Sequence, residues 1–277
     1  CKHNGQMVKT GEGMKLCSSE SFDECRGCFP EHTAEDFWLR KHTFKSTFDL
    51  ADGFISPSEF LRQRYIDWGI NENDIVVIEN GQSDLPQLEP RAIGEGDTRN
   101  RFGFFGQVNP YKGIDILLEA LRSMTRDQRK QVLVEIHGAN IEAQSGEFQT
   151  KIKKLAKKLI AEGCLRWVGP YRPEEQRSKL QEVDWVVVPS IWWENSPMVI
   201  QEAFTAGRPL IVSNIGGMAE KVDDGVNGLH FSARNPQSLA KVMLNATSRT
   251  LWAELRANIE APISYTECAN KHLEFFN

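Results

Sequence analysis

Beyond residue 101 the chain alternates between short, unbroken apolar runs and longer segments in which apolar residues return every three or four positions. Unbroken runs fit strands buried on both faces, and the three-to-four spacing fits helices with one packed stripe. The alternation predicts strands over 102–105, 132–137, 165–168, 185–188 and 209–212, with helices over 114–124, 148–162, 174–181 and 197–206. Trp185-Val186-Val187-Val188 is the clearest strand, and Ile114, Leu117, Leu118 and Leu121 make the clearest helical stripe, at i, i+3, i+4 and i+7. Alternation of this kind folds as a mostly parallel α/β sheet covered by helices on both faces. Ligands in such open sheets bind outside the carboxyl ends of the strands. The loops after Phe105, His137, Val168 and Val188 are therefore where chemistry is expected.

Upstream the pattern is fainter. A strand over 53–56, a helix starting at Pro57-Ser58 and stopping at Gly69, and a strand over 75–78 closed by Asn80-Gly81 make one βαβ fragment. Apolar density then drops over 82–101, where Pro86, Pro90, Gly94 and Gly96 appear among mixed charges, the composition of an interdomain linker. The expected division is 1–85, a linker over 86–101, a domain over 102–263 and a closing segment over 264–277. Residues 1–46 are polar, Gly- and Cys-rich and almost without periodicity, and read as an irregular excursion with one helix over 35–45.

At 277 residues, 40% hydrophobic, the chain can bury a sizeable core. Its net charge of −5 argues against a general nucleic-acid binder, which needs a surplus of Lys and Arg on one face. No apolar stretch approaches the ~18 residues of a membrane span, and the N-terminus lacks the apolar core of a secretory signal. A cytoplasmic protein is expected. The chain starts at Cys1 rather than Met, which suggests a piece of something longer.

The loop after Val188 holds two carboxylates, Glu194 and Glu202, with Ser196-Pro197 between them at a helix start. Ser at the cap and Pro at the first helical position is a strong start signal. A helix start presents unsatisfied amides and the positive end of its dipole, ready for a phosphate. Pro197 has no N–H, so the donors expected there are Met198 and Val199. Glu202, one turn in, suits a pair of sugar hydroxyls. Spacing alone fits a solvated loop residue and an exposed helix face equally well. The loop after Phe105 runs Gly106-Gln107-Val108-Asn109-Pro110-Tyr111-Lys112-Gly113 into a helix, so that Gly106 lets the backbone approach a ligand and Lys112 reaches an anion over the same crevice. A plain turn with a solvated lysine is the alternative. Gly216-Gly217 is a weaker third signal, a backbone gap of phosphate size. No Gly-x-Gly-x-x-Gly follows a strand, which speaks against a dinucleotide oxidoreductase or epimerase, and there is no Asp-x-Asp pair of the kind that holds a divalent ion on a pyrophosphate.

Taken in order, Gly106-Gln107 through Lys112-Gly113, Pro189-Ser190, Trp193-Glu194-Asn195-Ser196-Pro197 through Glu202-Ala203, Gly207-Arg208-Pro209, Gly216-Gly217-Met218-Ala219-Glu220 and Gly225-Val226-Asn227-Gly228 resemble glycosyltransferase family 4 over roughly residues 52–277. The resemblance implies a GT-B fold, two Rossmann-like domains of which the second binds a nucleotide sugar, and transfer with retention to a glycan or glycolipid acceptor, some of it at the inner membrane face. It implies that Glu194 lies against the donor sugar, Glu202 holds the ribose hydroxyls, Lys112 meets the pyrophosphate, and Asn195, Ser196, Met198 and Val199 line the same site. Gly169-Pro170-Tyr171 resembles the base-contacting segment, with Tyr171 free to pack instead. Two positions depart from the pattern: Gln107 stands where Arg is common and Pro197 where Gly is common. Residues 1–85 resemble the tail of the acceptor-side domain and 265–276 the closing helix, so an N-terminal acceptor half is expected to be missing. A donor-binding module without turnover of its own is the competing reading.

No cofactor is expected for the transfer. Of six cysteines, Cys1, Cys17, Cys25 and Cys28 crowd the first 28 residues. The close Cys25/Cys28 pair with two distant thiolates makes a structural zinc site one candidate, although the outer spacing fits no standard finger. Disulfides and free thiols are the others.

Overall fold

In a computed structural model, which describes residues 8–9 and 15–277, the chain divides into two compact units, Cys1–Glu79 and Asn80–Asn277.

The first unit holds a short antiparallel pair, β1 (Val8–Lys9) and β2 (Lys15–Leu16), helices α1 (Phe22–Cys28) and α2 (Ala34–Phe48), then β3 (Phe54–Ser56), α3 (Glu59–Trp68) and β4 (Ile75–Val77). β3 and β4 pair in parallel, which is the expected βαβ fragment. Ser58 caps α3 and Gly69 ends it at φ 113. The excursion is more helical than its composition suggests. α1 was not expected; it forms on local capping, with the Ser21 side chain accepting from the Glu24 amide and two acids in the first turn. α2 starts one residue before the expected helix, at a Thr33–Asp36 capping box, and runs three residues beyond its expected end.

The second unit runs β5 (Arg101–Gln107), α4 (Ile114–Ser123), α5 (Arg126–Arg129), β6 (Leu133–Ala139), α6 (Gly146–Ala161), β7 (Leu165–Trp167), α7 (Gln176–Glu182) and β8 (Trp185–Val188). It continues with α8 (Met198–Thr205), β9 (Leu210–Ser213), α9 (Gly216–Lys221), β10 (Gly228–Phe231), α10 (Pro236–Asn245), α11 (Arg249–Ala257) and α12 (Tyr265–Phe276). Six strands form one parallel sheet in the order β10-β9-β8-β5-β6-β7. The chain moves outward from β5 to β7, returns to β8 beside β5, and then moves outward the other way. The strand order therefore reverses between β5 and β8, which is where an open α/β sheet leaves a crevice at its carboxyl edge.

Both faces of the sheet are packed. On one, Phe102, Phe104, Trp185 and Val187 meet Leu117, Leu118 and Leu121 of α4, Ile152 and Leu159 of α6, and Trp252 of α11. On the other, Phe105, Val186 and Val188 meet Leu180 of α7, Ile200 of α8 and Met218 of α9. The four apolar residues expected on α4 are all fully buried. Each such side chain removes enough apolar area from water to contribute roughly 1.5–3 kcal/mol.

Residues 86–100 carry no helix or strand, yet the second unit holds them at many points. Asp184, fully buried before β8, accepts from Arg91 at 2.7 Å, Arg99 at 3.0 Å and the Arg101 amide at 3.1 Å. Arg99 also lies over the Trp252 ring, 4.2 Å from its centre. From below, the buried Arg208 guanidinium donates to the carbonyls of Leu88 and Glu89.

Candidate active site

All strands of the large sheet run the same way, so the loops after β5, β6, β7 and β8 share its carboxyl edge. At the point of strand reversal two of these loops are joined. After β5, Asn109 turns the chain by accepting from the Tyr111 and Lys112 amides, and Gly113 follows at φ 68. After β8, the Ile191 amide donates to the Tyr111 carbonyl at 2.9 Å. Between the loops Lys112 Nζ meets Glu194 Oε1 at 2.7 Å.

That oxygen has two further donors: Ser190 Oγ at 2.7 Å and Trp192 Nε1 at 3.0 Å. Glu194 is only 6% exposed, so the solvated-loop reading does not describe it. A buried carboxylate that accepts from an ammonium and two neutral donors is held in one rotamer. Lys112 is less enclosed, with its side chain 30% exposed and its ammonium 5.7 Å from the centre of the Trp192 ring, so it can reach outward to a second anion. Neither Ser190 nor Trp192 stood out from the sequence as a site residue. Ser190 had a signal, two positions beyond the end of a buried strand.

Glu202 belongs to a second cluster. Its carboxylate accepts from Gln176 Nε2 at 2.6 Å, and it lies close enough to Tyr171 to disturb its ionisation. Burial pushes the Glu202 carboxyl above the usual glutamate range, with the Gln176 bond working against that rise. Burial, then the Glu202 charge, pushes the Tyr171 hydroxyl upward as well. Tyr171 sits edge-on to Phe105 at 5.8 Å between ring centres, and Phe105 lies flat on the buried His137 at 4.6 Å. Tyr171 thus packs against the aromatic pair at the end of β5 and β6. Gln176, the first residue of α7, carried no sequence signal.

The start of α8 lies between these clusters in sequence and differs from expectation in one detail. The helix begins at Met198, with Pro197 in the cap position and extended at ψ 114, and no side chain caps it. Ser196 therefore stands one residue too early to cap, and its hydroxyl is buried with no hydrogen-bond partner among the described residues. Ile200 N bonds to the Pro197 carbonyl at 3.0 Å, while the two preceding amides, Met198 and Val199, belong to the turn that a helix cannot satisfy internally. Met198 and Asn195 are exposed and Val199 is half-buried. At the mouth of the β5 loop, Gly106 takes φ 136 and Gln107 is exposed.

At Gly216-Gly217, read as a backbone gap of phosphate size, the second amide is already engaged within the chain. The Gly217 amide donates to the Glu194 carbonyl at 2.8 Å, and a β-carbon at Gly217 would stand 2.0 Å from the Asn195 carbonyl oxygen. These glycines let α9 press against the backbone of residues 194–195 and hold it in place. Cys25 and Cys28 are free thiols on α1, Cys1 lies outside the described residues, and no group of three or more His, Cys, Asp or Glu among the described residues is arranged to hold a metal ion. The zinc reading of Cys17, Cys25 and Cys28 thus gains no support from their surroundings.

D-inositol 3-phosphate glycosyltransferase of Corynebacterium jeikeium is 30% identical over 201 residues, which cover 71% of this chain and 48% of that protein. Lipopolysaccharide 1,2-N-acetylglucosaminetransferase of Salmonella typhimurium is 33% identical over 131 residues, 47% of this chain and 34% of that protein. The chain thus spans half or less of the length of these curated relatives. Among solved structures, Anabaena Alr3699/HepE in complex with UDP and glucose superposes with a TM-score of 0.69 at 23% identity, covering 82% of this chain and 63% of that one. Sucrose-phosphate synthase of Thermosynechococcus elongatus gives 0.70 at 21% identity, covering 86% and 61%. At those identities the likeness is one of fold, the GT-B glycosyltransferase fold. The model of the family described as glycosyl transferases group 1 matches residues 87–261, and the chain belongs to that family.

Proposed function

We propose that this chain is the donor half of a retaining, family 4 hexosyltransferase that moves a sugar from a nucleoside-diphosphate donor to a glycan or lipid-linked acceptor on the cytoplasmic side of a membrane. The observation that carries the reading is the Lys112–Glu194 pair, held at 2.7 Å across the reversal point between β5 and β8. In this reading the two phosphates sit against the Met198 and Val199 amides and the Ser196 hydroxyl. Lys112 turns from Glu194 toward them, and Gly106 and Gln107 edge the same space. As the glycosidic bond breaks, negative charge grows on the leaving diphosphate. Donors already fixed in place stabilise that charge more than they stabilise the ground state. Glu194, freed of its lysine but still held by Ser190 and Trp192, faces the sugar with a carboxylate that steadies the positive charge developing at the anomeric carbon. Glu202 accepts from the ribose hydroxyls in place of Gln176, and Tyr171 flanks the base. Relatives named as glycosyltransferases and a structural neighbour solved with UDP and glucose support the donor class. Binding without turnover is the second reading, for which the Lys112–Glu194 ion pair speaks, since it occupies both groups.

Thermal shift with a panel of nucleoside diphosphates and their sugars tests the proposal. A ligand at ~100 times its dissociation constant should add about 2.7 kcal/mol of stability; a panel in which nothing stabilises the chain refutes donor binding. Turnover with an acceptor-side half supplied then separates the two readings. Glu202 gives a pH signature. Protonated, it no longer accepts two hydroxyls, and burial places that protonation above the usual glutamate range. Nucleotide affinity should therefore fall on acidification earlier than an ordinary carboxylate would dictate. Glu202→Gln should bind about ten- to a hundredfold more weakly, for one charge-assisted bond lost at roughly 1.5–3 kcal/mol, and with no acid limb. Without ligand the sign reverses. A carboxyl whose folded pKa is raised lends stability below its unfolded pKa and loses it as pH rises through the folded value, so Glu202→Gln should melt at or above the wild-type temperature at neutral pH. Equal affinity across the acid range, or a variant less stable when ligand-free, would count against the assignment.

A further inference from the structure

We propose that the outward face of α6 docks this protein on an anionic lipid surface. α6 packs on the sheet through Phe148, Ile152, Leu155, Ala156 and Leu159, and every lysine in it points the other way. Lys151 is tied to Asp115 and Glu119, and Lys158 to Glu162. Lys153, Lys154 and Lys157 are exposed and have no carboxylate within ion-pair distance among the described residues. No acidic residue interrupts the helix between Glu147 and its end at Ala161. At a spacing of i, i+4 and i+7 the row Lys153–Lys157 runs on to Ile160, which is 47% exposed. Three unpaired lysines beside an exposed isoleucine, in a chain of net charge −5, make a local patch of opposite sign to the whole.

A solvated helix face is the ordinary fate of lysines, and two features argue for more here. Elsewhere among the described residues an exposed lysine stands singly, as Lys241 does, or beside a carboxylate, as Lys130 does with Asp127, whereas here three unpaired lysines share one helix face. The patch also pairs charge with a short apolar edge, the combination that lets lysine stems and an aliphatic side chain enter a headgroup layer while the ammonium groups stay on phosphates. Three lysines near an anionic leaflet, each contributing about 1 kcal/mol, give a weak and reversible dock. Nucleic acid fits less well, since binding it needs many phosphates neutralised at once. Docking deepens the proposed function, because it would bring the donor half to a lipid-linked acceptor; its purpose rests on that reading, while its test does not.

The experiment is co-sedimentation of the chain with vesicles of phosphatidylcholine alone and of phosphatidylcholine mixed equally with phosphatidylglycerol. The wild type should sediment with the mixed vesicles only, and less as salt rises. The triple variant Lys153→Glu/Lys154→Glu/Lys157→Glu should lose about a hundredfold or more in vesicle affinity. Lys130→Glu/Lys241→Glu, which changes exposed lysines outside α6, should bind as the wild type does. Absence of wild-type binding, an unaffected triple variant, an equal loss in the control, or retention on double-stranded RNA without vesicle binding would each overturn the proposal. UDP-induced thermal shift is read on the same proteins. A triple variant that keeps its UDP shift while losing vesicles supports docking, and a wild type that binds vesicles but shows no nucleotide shift refutes the donor reading and leaves docking in place.

Discussion

Arg208→Met should destabilise the second unit by about 3–5 kcal/mol, the range reserved for loss of a buried polar network. Arg208 is fully buried and has no carboxylate at hydrogen-bond distance among the described residues. Its guanidinium spreads over five carbonyls instead: Leu180 at 3.0 Å, Leu88 at 3.4 Å, Ala206 at 3.2 Å, Gly207 at 3.3 Å and Glu89 at 2.8 Å. Burial, with the repulsion of Arg256 next, pushes its pKa down to about 10. It therefore remains charged at neutral pH, and the carbonyls are what make that charge tolerable. Methionine fills much of the volume but leaves those oxygens short of a donor and cuts residues 88–89 loose from the helix end. Arg208→Lys should recover only part of the loss, because a point ammonium cannot reach Leu180 and Glu89 together as a planar fork does. Urea denaturation of the three proteins settles it: a loss below 1 kcal/mol in Arg208→Met would mean that the carbonyls find water and that the fork is dispensable.

The same residue shows what could be read from the chain beforehand. Gly207-Arg208-Pro209 stood out as part of a familiar pattern, but its role depends on partners some 28 and 120 residues away. Local periodicity carries no such information. Where one element decides its own form, the reading was good: the α4 stripe and the β8 run are buried as their spacing implies. Side-chain caps decided the starts of α1 and α2, a single Ser21 cap in the first and a capping box in the second, which composition alone concealed. In the site, Lys112, Glu194 and Glu202 were legible because each follows a strand or a helix start. Trp192 and Gln176 were not: Gln176 meets a carboxylate 26 residues away, and Trp192 meets Glu194 two residues on through a loop turn that has no period, while Ser190 offered only its place after β8. Ser196 looked like a cap and is instead a buried hydroxyl without a partner, because the extended Pro197 shifts the helix start by one residue. Gly217 looked like a ligand-facing turn and proves to be the seat for the 194–195 backbone.

Gly113→Ala should disrupt the site more than replacement of any single polar group in it. A β-carbon at Gly113 would stand 1.8 Å from the Pro189 carbonyl oxygen and 2.7 Å from its carbon, backbone atoms that cannot swing away. Its φ of 68 adds the ordinary left-handed penalty of roughly 1–2 kcal/mol. To admit the methyl group, the loop carrying Lys112 must part from the loop carrying Glu194, and the bond from Ile191 N to the Tyr111 carbonyl lies on the seam that opens. Gly163→Ala separates the two effects, since Gly163, which precedes β7 and lies away from the sheet's carboxyl edge, also takes a positive φ, 77, but a β-carbon there meets nothing within 4 Å. Gly163→Ala should therefore show a modest loss of stability, close to the backbone penalty, and keep a nucleotide-induced thermal shift. Gly113→Ala should lose at least about 3 kcal/mol, the scale of a serious clash in a packed interior, and where it still folds it should show no shift with any nucleoside diphosphate. If Gly113→Ala bound nucleotide as the wild type does, the loops after β5 and β8 would not have to be in register for donor binding. Lys112 and Glu194 would then be a structural ion pair and not the centre of the site.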